Sequence, residues 1–507
     1  MLMEIPIARD QLVAATDGKP RYEAIASAFE QAIAAARIRP GDRLPAVRQL
    51  SMDLGVSAAT ITAAYNLLNQ RGWTRGEVGR GTFVNTPGSE RSRPAVLLGE
   101  PSAMRRATPW RRRALTTSAA RLRSSFPAAF DCTSGKPDVT LLPLAILQRA
   151  WRHAIDDMHH MDLQYAGPDP IPALIRALLP RLEHDGIPAR VPDIVIGSSA
   201  QQFIVLAMSA IAALRVGGET VVAVEEPGYQ TAYDTFERAG YRLVGVAVDE
   251  QGAVPESLDA ALAAGATGVL LIPRAHNPTG VSWSTRRLVE LGDVLAAHPD
   301  AFAVEDDQLA DVASARAGSL LSDPRIEDRV VYIRSFAKAI APDLRLACAV
   351  ARPRLRALLA EAKSFADGWS SLLAQRALAN VLSDRELEGV LSTARDTYRA
   401  RRVAALHAIN TRLELVGGAA TGADGINIWV HLPSGVDAVE VIEQAAAAGV
   451  LVAPGEPFFI RPGHSDVLRM SVGWLKNIAE AEMAGDALAT AALSSTSAAV
   501  GASTMSV

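Results

Sequence analysis

Lysine is scarce in this 507-residue chain: Lys19, Lys136, Lys338, Lys363 and Lys476 are the complete set, so chemistry that needs a primary amine has few candidates. Lys338 stands in SFAKAIAPDLRLA, after the strand-like run RVVYI, with Ser335 before it and Arg345 seven residues on. A lysine becomes an imine-forming nucleophile when a dry pocket lowers its pKa, and a serine beside an arginine makes a seat for phosphate. Asp306 ends the run AFAVEDDQ, placed to pair with a protonated ring nitrogen, the partner an electron-sink cofactor needs. Asn277 in RAHNPTG offers an amide to a phenolic oxygen. In GSSAQQ a strand meets a helix start, where the amides of Ser199, Ala200 and Gln201 can cradle phosphate. Arg469 in LRMSVGWL can clamp the carboxylate of an amino acid in bidentate fashion. Each residue alone also has a plain reading as a surface lysine, a strand-end cap or a turn. Their order and spacing carry the chemistry.

These groups need a frame, and alternation supplies one. From Asp131 onward, short runs rich in Val and Ile (DIVIG, TVVAVEE, TGVLLIP, AFAVEDD, RVVYIRSF) alternate with helical stretches, which implies a mostly parallel sheet covered on both faces. NIWVHLP and VLRMSVGWL, after long helical patterns beyond residue 365, imply a smaller α+β lobe. At the other end, YEAIASAFEQAIAAAR, VRQLSMDLG and AATITAAYNLLNQR read as three helices, the last capped by Ser57 and stopped by Gly72. WTRGEVGRGTFV reads as a hairpin turning at Glu77 to Gly81. Three helices and a hairpin make a winged helix-turn-helix.

At about 150 residues per domain, the length predicts about three folding units. Hydrophobic residues at 49% and charged residues at 21% are the balance of a globular chain with sizeable cores. The longest nearly unbroken apolar run, Phe203 to Leu214, falls well short of the roughly 20 residues a bilayer requires. No membrane span is expected, and the opening MLMEIPIARD carries no export signal. Two cysteines, Cys132 and Cys348, suit a reducing cytoplasm and give neither a disulfide nor a metal framework. The net charge of -4 is uneven: residues 1–130 hold 19 Lys and Arg against 10 Asp and Glu, and the remainder 32 against 45. The basic end is the one suited to a polyanion. Residues 87–130, with Pro, Ser, Thr and arginine clusters, read as a basic linker, and the Ala/Ser-rich residues 489–507 as a flexible tail.

The segment from Arg37 to Val84 resembles the DNA-binding domain of the GntR superfamily of bacterial repressors, a match that covers nearly all of residues 20–86. The resemblance implies that Arg48, the helix start with Ser57, Thr60 and Thr62, and the wing tip Arg80-Gly81 meet double-stranded DNA. Arg43 is counted with them and equally suits a surface ion pair. Ala58 departs from the basic residue common just after the cap, which leaves base readout to Thr60 and Thr62.

The five motifs of residues 131–488 resemble the fold-type I, aspartate-aminotransferase-like family that binds pyridoxal 5'-phosphate on a lysine. That resemblance places Tyr229 of EEPGYQ near the cofactor ring and takes Tyr165 of YAGPDP to the phosphate of the neighbouring subunit, implying a head-to-tail homodimer. It departs at Gln308, commonly tyrosine, and at Ala337, often serine; Gln308 can still donate to the phenolic oxygen. A winged helix, a basic linker and an aminotransferase-like body in that order resemble the MocR/GabR-type regulators, a branch of the GntR superfamily. Such a regulator reads an amino compound, or pyridoxal phosphate itself, and controls DNA. The competing expectation is an active aminotransferase with an appended DNA-binding domain, which sustained turnover would reveal.

Overall fold

The computed structural model describes residues 21–34, 37–39, 41–70, 73–77, 81–84, 110–126, 129–214, 219–316 and 318–504. The chain divides into two compact units, Met1–Met104 and Arg105–Val507.

In the first unit, helices Arg21–Ala34, Val47–Leu54 and Ala58–Gln70 precede strands β1 (Thr74–Glu77) and β2 (Gly81–Val84), paired antiparallel with Glu77 opposite Gly81. The apolar faces read from the sequence meet in one core: Ile25, Phe29, Leu50, Ile61 and Leu68 are fully buried there. Gly55 ends the second helix at φ 64, a left-handed conformation that favours glycine. The Tyr65 hydroxyl donates to the Pro45 carbonyl at 2.8 Å and so fixes the third helix against the turn before the second.

The second unit is built on an eight-stranded sheet. After β3 (Phe130–Asp131), strands β4 (Ile194–Gly197), β5 (Val221–Glu226), β6 (Arg242–Asp249), β7 (Gly252–Ala253), β8 (Gly268–Leu271), β9 (Phe302–Asp307), β10 (Val330–Ser335) and β11 (Ala347–Ala351) run in the order β4-β11-β10-β9-β8-β5-β6-β7. β5, β6, β8, β9 and β10 are parallel, and β4 shares their direction because both it and β10 pair antiparallel with β11. The sequence runs named five of these eight strands and missed β6, β7 and β11. A four-stranded antiparallel sheet, including Asn427–His431 and Val467–Ser471, forms the smaller lobe.

Two expectations are corrected. Residues 87–130 are not a linker throughout, because Trp110–Ser125 is a helix belonging to the second unit. Its arginine-rich composition hid a cryptic anchor: the Arg111 side chain is wholly buried, paired with Asp234 at 3.1 Å and Glu237 at 2.7 Å, and bonded to the Phe459 carbonyl. Nor is 489–507 a free tail, since one helix spans Ile478–Thr504 and buries Leu488, Ala489 and Ala492. Alanine is the best helix former, and its small side chain lets this helix pack closely on Leu387–Leu413. A Cβ on Gly485 would sit 2.7 Å from the Ala405 carbonyl oxygen, too close for any other residue. We expect Arg111→Ala to destabilise this end of the second unit by about 3–5 kcal/mol, since it strands the buried Asp234. Faster amide exchange across residues 110–125 and 230–238 is the check, and unchanged exchange would show the pairs to be energetically neutral.

Candidate functional site

In the first unit, Ser57 caps its helix as expected: its Oγ accepts from the Thr60 amide at 3.1 Å and lies 2.8 Å from Thr60 Oγ1. Thr62 Oγ1 donates to the Ala58 carbonyl at 2.9 Å, so this hydroxyl can only accept from an incoming group. Arg48 is exposed on the second helix. Arg43 is exposed too and forms a bridge with Phe83, its guanidinium lying over Gly81, where a Cβ would come within 2.6 Å of Arg43 Nε. Gly81, at φ 120, is favoured by its backbone, whereas the exposed Arg43 side chain could shift aside. Arg80 lies outside the described residues.

In the second unit the carboxyl ends of the parallel strands converge, which is where open α/β sheets bind ligands. Ser199 follows β4, Tyr229 follows β5, Asn277 follows β8, Asp306 and Gln308 end β9, and Ser335 and Lys338 end β10. A cavity of about 390 Å³ opens there. Tyr229, Asn277, Gln308, Lys338 and Arg469 all line it. Lys338 Nζ donates to the Gly135 carbonyl. Burial lowers its pKa to about 8, assisted by Arg469 and Lys136 and opposed by Asp306. Asp306 is 2% exposed, and its Oδ1 has no hydrogen-bond partner. Burial, then the neighbouring Asp307 and Glu225, push its carboxyl up to about 7. A buried acceptor with no donor needs a positive or protonated partner.

Arg469 is 5% exposed, donates to Asn277 Oδ1 at 3.3 Å and to the Thr133 carbonyl at 2.6 Å, and leaves Nε without a partner. Its guanidinium lies 4.8 Å from the Phe458 ring centroid. Burial lowers its pKa to about 10, as for a cation awaiting an anion. Burial likewise raises the Tyr229 phenol to about 12.

The phosphate-seat residues do not line this cavity. Ser199 caps helix Ala200–Ala213 by accepting from the Gln202 amide, and Ser335 Oγ accepts from the Ala337 amide at 3.3 Å. Ala200 and Gln201 open that helix, where amides have no carbonyl one turn earlier to bond. Gln201 Nε2 donates to Thr235 Oγ1 at 3.3 Å on the helix Gln230–Arg238, whose own start lines the cavity through Gln230 and Thr231. Arg345 is exposed, at φ 52. Tyr165 is 93% exposed, with its ring edge-on to Trp369, and lies away from the cavity.

Sequence reasoning missed one whole wall. The helix Trp110–Ser125 lines the cavity through Arg112, Leu115, Thr116, Ala119 and Arg123, and the loop 133–136 through Gly135 and Lys136. The apolar spacing Leu115, Ala119, Leu122 was the available signal, masked by arginine.

A mostly parallel sheet with a small lobe, a lysine and a buried aspartate with one unpartnered oxygen at the strand ends defines a fold-type I aminotransferase-like domain. Comparison with known proteins agrees. The family Aminotransferase class I and II matches residues 133–483, and Bacterial regulatory proteins, gntR family, matches residues 21–84. The chain is 30% identical to the vitamin B6 salvage pathway transcriptional repressor PtsJ of Salmonella typhimurium, over 91% of this chain and 96% of the relative. It is 28% identical to the transcriptional regulator TauR of Rhodobacter capsulatus, over 85% and 87%. Among solved structures, LysN, the alpha-aminoadipate aminotransferase of Thermus thermophilus complexed with N-(5'-phosphopyridoxyl)-L-leucine, superposes with a TM-score of 0.65 at 25% identity, covering 76% of this chain and 97% of that one. This chain belongs to the GntR-family transcriptional regulators that carry an aminotransferase class I and II domain. Its fold implies pyridoxal 5'-phosphate, and its winged helix is of the kind that binds DNA. Among the described residues no helix is long and apolar enough to cross a membrane. Because Arg48 is exposed and makes no ion pair among the described residues, Arg48→Ala is expected to weaken operator binding by about 1–3 kcal/mol without changing helix content. A gel-shift titration checks this.

Proposed function

We propose that this chain is a cytoplasmic transcriptional regulator whose second unit senses an amino compound through pyridoxal 5'-phosphate and whose first unit holds DNA. The observation that carries this is the amine of Lys338 and the buried Asp306, whose Oδ1 has no donor, at the ends of adjacent strands in a chain that also carries a winged helix. When bound, the cofactor supplies an aldehyde that an amine captures and a ring that withdraws electrons. Lys338 presents the amine, and Asp306 holds a proton at the ring nitrogen, which returns its raised carboxyl to the ionised form. Asn277 and Gln308, which line the cavity, would donate to the phenolic oxygen, and Tyr229 would lie near the ring. The helix start at Ser199, Ala200 and Gln201, with Ser335 and Arg345, takes the phosphate, and Tyr165 joins from the second subunit of a head-to-tail homodimer. Arg469 holds the carboxylate of the effector. In the first unit Arg43, Arg48, Ser57, Thr60, Thr62, Arg80 and Gly81 face the operator. An effector changes DNA binding only by binding two arrangements of the dimer unequally.

A second reading makes the cofactor itself the signal, and the Salmonella relative, a repressor of vitamin B6 salvage, favours it. Titrating operator binding against cofactor alone, then against cofactor with amino acids, divides the two. Borohydride reduction followed by peptide mapping is expected to leave a pyridoxyl group on Lys338; an adduct elsewhere, or none, overturns both. Desolvation disfavours the ammonium form, so the free amine dominates above pH 8. Cofactor uptake by stripped protein is therefore expected to slow about tenfold per pH unit below 8 and level off above it. Uptake that keeps climbing toward the ordinary lysine value of 10.5 would show that Lys338 is not desolvated.

A further inference from the structure

The cavity walls carry five cations, Arg112, Arg123, Lys136, Lys338 and Arg469, and among the described residues no acidic side chain lines it. This stands against the acidic background of residues 131–507, with 32 basic and 45 acidic residues. Two of the five are accounted for: Lys338 is the amine, and Arg469 is the buried carboxylate clamp. Arg123 is neutralised by Asp131, 2.7 Å from its Nε. Lys136 is exposed, with Nζ 5.6 Å from the Trp474 ring centroid, and it acts on Lys338.

Arg112 is different. It is the residue after the buried anchor Arg111, and its backbone amide donates to Asp234 Oδ2 at 2.9 Å, so its Cα is held in place. Its guanidinium has no acidic partner among the described residues, yet it is close enough to Tyr229 to act on that phenol. Residues one apart on a helix point about 100° apart, so Arg111 can be buried against Asp234 and Glu237 while Arg112 turns to the cavity. Arg112 is exposed, and its guanidinium, free of an acidic partner among the described residues, offers two parallel donors to a carboxylate, sulfonate or phosphate. Arg469 belongs to a strand of the small lobe and Arg112 to the helix Trp110–Ser125, so the two cations come from separate elements on the cavity wall.

We propose that Arg112 is a specificity residue that binds a second acidic group, so that the effector is an amino compound carrying two anions, one on Arg469 and one on Arg112. This rests on the reading of Lys338 and Arg469 given under Proposed function.

The test uses full-length, cofactor-loaded protein and follows ligand binding by the cofactor absorbance band and by calorimetry. L-aspartate, L-glutamate and L-2-aminoadipate are each compared with the monocarboxylate of equal chain length, L-2-aminobutyrate, L-norvaline and L-norleucine. At the fitting length the dicarboxylate is expected to bind about tenfold tighter or more. Arg112→Ala should bring that ratio toward one, and Arg112→Lys should restore part of it, which a merely structural role would not do. No dicarboxylate advantage at any length, or an advantage that survives Arg112→Ala, overturns the proposal. So does its loss in Lys136→Met in place of Arg112→Ala. Failure of the parent reading looks different: protein that takes up no cofactor, or Arg469→Ala that leaves both members of a pair bound as before, removes the site itself.

Discussion

Asp306 is a carboxylate shut away from water with no donor for one of its oxygens, and the second unit is arranged around that unmet demand. Its neighbour Asp307 is equally buried but fully answered, by Arg274 at 2.7 Å and by the Tyr332 hydroxyl at 2.7 Å. Arg334 extends the same buried network to Asp185 and Asp311. Alternation along β9 sends these adjacent acids to opposite faces, one into a closed ionic network and one toward the strand ends where Lys338 waits. An isolated ion in such a place would be costly, so the site is poised for a ligand that brings a proton or a positive charge. The lowered lysine and the raised aspartate are two consequences of one dry environment.

The helix Trp110–Ser125 gives this site a second role. It is held from below by Arg111 and lines the cavity with Arg112, Leu115 and Thr116. The same helix is the first described element after the segment that connects to the winged helix. Any coupling of a bound ligand to DNA binding would need only unequal affinity of that ligand for two states of the protein.

Much of the site was legible because each residue sat in a short motif tied to a strand end. Lys338, Asp306 and Asn277 were named from such motifs, and parallel strands deliver their carboxyl ends to one place; Tyr229 and Gln308 came from the family resemblance, and Arg469 from a motif that forms an antiparallel strand of the small lobe. The strand β6, the edge strand β7 and the antiparallel β11 escaped notice. Gly245 interrupts the apolar run of RLVGVAVD, and ACAVA is short and alanine-rich, so both are weak strand signals. The Trp110 helix was hidden by composition: nine arginines between residues 85 and 130 look like a solvated linker until one of them is seen to be wholly buried. The C-terminal helix was hidden in the same way, since an Ala/Ser run gives no amphipathic signal, and its burial depends on the helix it packs against.

The amino-acid sequence by itself determined the two kinds of unit, their order, the cofactor chemistry and the residues at the strand ends, because these depend on local periodicity and on motifs whose members lie within a few positions of one another. Only the tertiary structure decided which cations share a cavity, that Arg111 is an anchor while Arg112 lines the cavity, and that Ser199, Ala200, Gln201, Ser335 and Arg345 do not line it. Those outcomes are set by contacts between segments more than a hundred residues apart, such as Arg111 with Asp234 and Arg469 with Thr133. Nothing in either segment alone specifies its partner.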